Sequence, residues 1–250
     1  MPDIIAQAIA TEGFYWLALT IFIAGLIRGF SGFGSALIFV PVAGLYLPPS
    51  SVVALITIMG LASSAALLPR AWGLADKGEV SVLAVATLLT VPIGIAVMAQ
   101  LDGVAVRWIV AVVAAITLVA LVKGWRYHGR LGKVGLSGIG GAAGVIGGLT
   151  GMAGPVVILF YLANARHIAT VRANIILFLA ATDAIIVANL LWHGLIGAQV
   201  FVLGLVLSVP YFATTLLGQA AFRPEYARAY RGVAYCVIAL AVVTGLPVWE

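Results

Sequence analysis

RGFSGFGSALIFVP, residues 28–41, sets an arginine and three glycines, Gly29, Gly32 and Gly34, inside an apolar run. GGLTGMAGPVVILF, residues 147–160, repeats the pattern. The first lies in an apolar stretch over 14–47, which as one straight helix would measure about 51 Å at about 1.5 Å per residue, against a hydrocarbon core of about 30 Å. That stretch must break, tilt strongly or turn back. Glycine frees the backbone to leave helical geometry, and unwound backbone at membrane depth is tolerated only where protein or a water-filled cavity surrounds it. Both stretches therefore mark breaks that line a site.

Composition sets the solvent. The 250-residue chain is 64% hydrophobic and 8% charged, with a mean hydropathy of +1.20, too few charges to clothe a soluble globule of that size. It belongs in a bilayer. Its net charge of +5 reads as loop charge that orients the chain, and nucleic acid is excluded as a partner. The lone Cys236 offers no disulfide framework. With three histidines and no His/carboxylate set at ligand spacing, neither a metal nor another cofactor is expected. Residues 1–13 hold Asp3 and Glu12 but no Lys or Arg, unlike a secretory leader, so the first apolar run is expected to stay.

Six plain membrane-spanning segments fall near 50–68, 80–98, 103–122, 173–192, 198–218 and 232–248, beside the two interrupted regions 14–47 and 135–163. A shift of 119 lays AGLIRGFSGFG (24–34) on AGVIGGLTGMA (143–153) without gaps, and LTVP ending at Pro92 meets LSVP ending at Pro210 at a shift of 118. This predicts a duplication: an N-terminal repeat 1–122, a basic linker 123–133 and a C-terminal repeat 134–250. Lys123, Arg126, Arg130 and Lys133 place the linker on the cytoplasmic side. Counting outward puts Arg70 and Lys77 inside, and LPPSS (47–51), AQLD (99–102) and the N-terminus outside. Arg166, Arg172, Arg223, Arg228 and Arg231 all lie inside only if each broken region returns to its starting side. The expected fold is an all-α integral membrane protein of two inverted repeats, each one broken or re-entrant helix pair plus three transmembrane helices.

In this arrangement Gly29, Gly148 and Pro155 mark the helix breaks, with Pro155 in the first turn of an outgoing arm. The outgoing arms start near Ser35 and Pro155, and their positive N-terminal ends should converge from opposite sides, an arrangement that attracts anions. Arg28, about fifteen residues into its apolar segment, adds a full charge, and Ser31 and Thr150 add hydroxyls. The substrate-binding set is Arg28, Ser31, Gly32, Gly34, Ser35, Thr150, Gly151 and Gly154, and its ligand a small oxygen-rich anion. The competing explanation for the glycines is close helix approach. Asp183, near the centre of a span, carries a proton or pairs with an arginine. Arg107 is expected to reach the headgroups, His193 to sit at an outer boundary, His128 and His167 to lie in loops, and Asn174 and Asn189 to bridge helices or line the path.

The paired motifs GLIRGFSGFGSALIFVP and GVIGGLTGMAGPVVILF, with VP at 40–41 and VRAN at 171–174, resemble the TauE/SafE family of sulfite and organosulfonate exporters from about Phe14 to Leu246. The resemblance implies transport of small sulfur oxyanions or sulfonates across a bacterial inner membrane. Family members often carry a denser glycine run at the first break, where here Ser35 and Ala36 follow Gly34. The expected mechanism is alternating access at a midplane site, with proton coupling through Asp183. The partners are a small anion and membrane lipid, with a homo-oligomer allowed. A passive anion channel would use the same residues. GFSG at 29–32 also matches the G-x-S-G of rhomboid-type intramembrane proteases, with Ser31 as nucleophile and His193 as base, but its echo GLTG at 148–151 favours a structural role.

Overall fold

The computed structural model describes residues 2–65, 67–125, 132–161, 168–221 and 223–248. Arg126, His128, Arg130, Arg166 and His167 lie outside them. The described chain forms twelve α-helices: α1 Pro2–Ile9, α2 Phe14–Ser31, α3 Ser35–Ala43, α4 Pro49–Ala65, α5 Leu68–Leu74, α6 Lys77–Gln100, α7 Gly103–Val122, α8 Lys133–Thr150, α9 Gly154–Tyr161, α10 Ile168–Trp192, α11 Ala198–Ala221 and α12 Ala227–Gly245. Five are long and apolar enough to cross a membrane, or six if α4 and α5, which meet at 72°, form one bent span. The protein is an all-helical membrane protein among its described residues. Apolar side chains point outward, as with Val112, Ile116 and Val119 on one stripe of α7, because lipid tails solvate them as well as a core does.

Without a hydrophobic gain between helices, packing depends on close approach. Gly25 and Gly29 of α2 lie against Thr214, Thr215 and Gly218 of α11, and Gly144 and Gly148 of α8 lie against Thr90, Val91 and Gly94 of α6. A methyl group at Gly29 would come within 2.7 Å of the Gly218 Cα, and one at Gly148 within 3.3 Å of the Gly94 Cα. In both pairs the residue numbers rise together, so the helices run parallel. Each broken segment thus packs on a helix of the opposite half. The matching positions are Thr90 with Thr214 and Gly94 with Gly218, an offset of 124. TVPIG (90–94) therefore packs as TTLLG (214–218) does, and the LTVP/LSVP match at 118 is not the one the packing uses.

The breaks fall a few residues later than expected. Gly29 and Gly148 lie inside helices and serve as approach surfaces, because glycine in a helix interior removes a side chain without ending the ladder. Gly32 and Gly151 end the incoming helices at φ 81° and 74°, and their N–H groups donate to the Arg28 and Gly147 carbonyls, both at 2.7 Å. These are left-handed glycine caps. Gly34, at φ 96°, then starts α3. The incoming arms have 18 residues each, the first longer than expected, about 27 Å by helix rise, whereas the outgoing arms have 9 and, among the described residues, 8. In the first pair Gly13, before α2, lies against the Tyr46 ring, after α3, so the chain comes back to the level at which it entered.

Candidate functional site

The two tips meet at one cavity. Gly34, Ser35 and Ala36 from the start of α3, and Gly154 and Pro155 from the start of α9, line it together with Arg28 and Asp183. The converging half-helices therefore share one hollow with a cation and a carboxyl group. Pro155 stands in the first turn of α9, where its missing N–H costs no ladder bond.

Arg28 projects from the last turn of α2 and is half-buried. Its Nη1 donates to Ser35 Oγ at 3.4 Å and its Nη2 to Ser64 Oγ at 3.3 Å. Tyr211, fully buried on α11, donates its hydroxyl to Ser35 Oγ at 2.8 Å and lies with its ring 5.8 Å from the Arg28 Cζ. A guanidinium presents five N–H donors, so two serine hydroxyls leave others to face the hollow. In the same lining the Asp183 carboxyl abuts Gly60 of α4, where a methyl group would collide with it.

The predicted set divides. Arg28, Gly34, Ser35, Gly151, Gly154 and Asp183 line this cavity; Ser31, Gly32 and Thr150 do not. Ser31 Oγ donates within 2.6 Å of the Ile27 carbonyl and accepts from Phe33 N–H at 3.4 Å. Thr150 Oγ1 does the same with the Ile146 carbonyl at 2.6 Å and Met152 N–H at 3.2 Å. The matched hydroxyls thus turn back onto their own helices, bonding a carbonyl one turn earlier and an amide just past the break. Ser31 is equally far from a nucleophile's role, since its bonds are local and His193 Nδ1 lies 2.8 Å from the Asn189 carbonyl. Sequence reading missed Tyr211, Ser64 and Gly60. Tyr211 had one signal, a polar ring directly after Pro210 within an apolar span.

Two other expectations are revised or resolved. Arg107 is half-buried and lines a second cavity instead of extending to headgroups, because the end of α3 leaves room for it beside Gly44, where a methyl would sit 3.4 Å from Arg107 Cγ. Asn174, buried on α10, bridges helices: its Oδ1 accepts from Asp76 N–H at 2.7 Å and its Nδ2 donates to Glu79 Oε2 at 3.3 Å.

Long apolar helices, two glycine-broken pairs and a polar hollow between their tips define a membrane transport protein. A family model described as "Sulfite exporter TauE/SafE" matches residues 17–244, and the chain belongs to that family. Membership places it among membrane proteins that export sulfite and related sulfur anions, a family of transporters and not of enzymes. Neither the curated proteins nor the solved structures gave a match.

Proposed function

We propose that this protein moves a small sulfur oxyanion or sulfonate across a bacterial inner membrane by alternating access, with the anion held in the Arg28 cavity. The carrying observation is the convergence of the α3 and α9 starts on one hollow lined by Arg28 and Asp183. The Arg28 guanidinium supplies charge, Ser35 holds it in place, and the amides at the starts of α3 and α9 complete a shell of donors. Gly32 and Thr150 act indirectly by shaping the two tips.

The two halves serve as inverted repeats whose broken pairs gate in turn; the parallel packing of α2 on α11 and α8 on α6 supports this, as does the local match of Ser31 with Thr150. By loop charge, Lys77 lies inside and Gly103 outside. An anion and a carboxylate in one hollow repel unless the carboxyl group carries a proton. Anion binding and proton uptake at Asp183 therefore favour each other, and linkage makes the effect reciprocal.

The decisive experiment is radiolabelled sulfite and sulfonate flux in proteoliposomes under an imposed pH gradient. Accumulation beyond the electrochemical balance of the anion supports a coupled transporter. Flux that only dissipates its own gradient identifies a passive channel, and absence of flux for every sulfur anion overturns the substrate class.

A further inference from the structure

A second cavity lies beside the first along the same elements. On α3 the lining passes from Ser35 and Leu37 in the Arg28 cavity to Val40 and Pro41 in the second. On α4 it passes from Ile56 to Val53, and at the second break from Gly151 to Thr150. Three separate elements thus change cavity at one layer, so the hollows stand in series. The partition is the second tip itself: a Cβ at Gly151 would lie 2.7 Å from Ile56 Cγ2 and 3.5 Å from the Val53 Cα. Gly151 closes against α4 with no side chain between them.

The second cavity is walled by valine, leucine, proline and glycine, with Arg107 as the charged residue among its described lining. It sits at Leu47, Gly103 and Gly245, the end of the bundle that the loop charges place outside. A guanidinium beside low-dielectric walls concentrates anions. We infer that the Arg107 cavity is a second binding site for the transported oxyanion, in series with the Arg28 cavity and on its outer side. This rests on the anion-transport reading. The site gives a departing anion a cation to move to once Gly151 withdraws from Ile56, and among the described residues its lining holds neither a carboxyl group nor a tyrosine.

The test uses Leu47→Cys in a Cys236→Ser background, reconstituted in liposomes, with membrane-impermeant methanethiosulfonates carrying either a sulfonate or a trimethylammonium group. Rates are normalised to those of a free thiol. The anionic reagent should be favoured about tenfold, as expected for a charge-lined cleft. The preference should persist in Arg107→Lys and vanish in Arg107→Gln. Methanesulfonate and sulfate should slow labelling, and should still do so in Arg28→Gln, which empties the inner site. A preference near one in the Leu47→Cys protein overturns the second site, and this comparison requires no change at Arg107. Protection that disappears with Arg28→Gln also overturns it, since one site then accounts for both observations. Sulfite flux on the same vesicles separates the two readings: flux without charge preference removes only the outer site, whereas charge preference without flux removes only the transport reading.

Discussion

The two broken helix pairs share a sequence motif and differ at their tips. In each, a hydroxyl and a left-handed glycine finish an 18-residue helix with nearly identical bonds. The first tip is charged and roomy: it carries Arg28, and a Cβ at Gly32 would meet nothing within 4 Å. The second is uncharged and tight, with Gly151 pressed on Ile56. The supporting helices differ in the same way. Position 211 on α11 is a tyrosine aimed at Ser35, whereas its packing equivalent on α6, Thr87, donates to the Gly140 carbonyl at 2.9 Å. The two motifs thus end their helices alike, while one tip carries a cation and the other closes against its neighbour; under the transport proposal, the first would bind and the second would gate.

The widest separation between the tips is expected from Gly151→Ala compared with Gly32→Ala. Both residues have positive φ, and an alanine there costs on the order of 1–3 kcal/mol in backbone strain. Only Gly151→Ala also overpacks, adding about 1–3 kcal/mol. Thermal unfolding in detergent, followed by intrinsic tryptophan fluorescence, should show Gly151→Ala melting well below Gly32→Ala, and equal midpoints would refute the tight second tip. Next in size is Arg28→Gln. Loss of a charged hydrogen-bonding group is worth about 1.5–3 kcal/mol, so sulfur-anion flux at low substrate should fall roughly ten- to hundredfold. Unchanged flux in proteoliposomes would remove Arg28 from the binding site.

Much of this was legible in the sequence because it depends on backbone freedom and solvent. Apolar length, charge-poor composition and paired glycine runs dictate spans and breaks without any tertiary knowledge. The positions of the breaks were less legible, since glycine serves two purposes that look alike in one dimension. Gly29 and Gly148 let helices touch, whereas Gly32 and Gly151 turn the chain. Ser31 and Thr150 illustrate a related limit: a hydroxyl near a helix end either binds a ligand or satisfies a carbonyl, and only the distance decides. Tyr211 and Ser64 reach Arg28 from helices remote in sequence, contacts that no spacing rule encodes.

A smaller effect separates the charged groups within the first site. Asp183→Asn keeps the shape of the wall against Gly60 while removing the exchangeable proton. Flux should persist, and its dependence on an imposed pH gradient should flatten; a variant that keeps the full wild-type pH profile would exclude Asp183 as the coupling residue.

The finest distinction lies in Tyr211, which touches the site in two ways. Its hydroxyl bonds to Ser35 at 2.8 Å, and its ring stands 5.8 Å from the Arg28 Cζ. Tyr211→Phe deletes only the first contact. Ser35 then retains Arg28 as a donor, so the loss is that of one neutral hydrogen bond, about 0.5–1.5 kcal/mol. The half-saturating sulfite concentration should rise only severalfold, with maximal flux little changed. Tyr211→Leu deletes the ring as well and should cost more, because the guanidinium loses the aromatic face beside it. If both variants behave alike, the ring contributes nothing and only the hydroxyl positions Ser35. If Tyr211→Phe has no effect, Ser35 is held by Arg28 alone, and the tyrosine that distinguishes α11 from α6 serves packing and not binding.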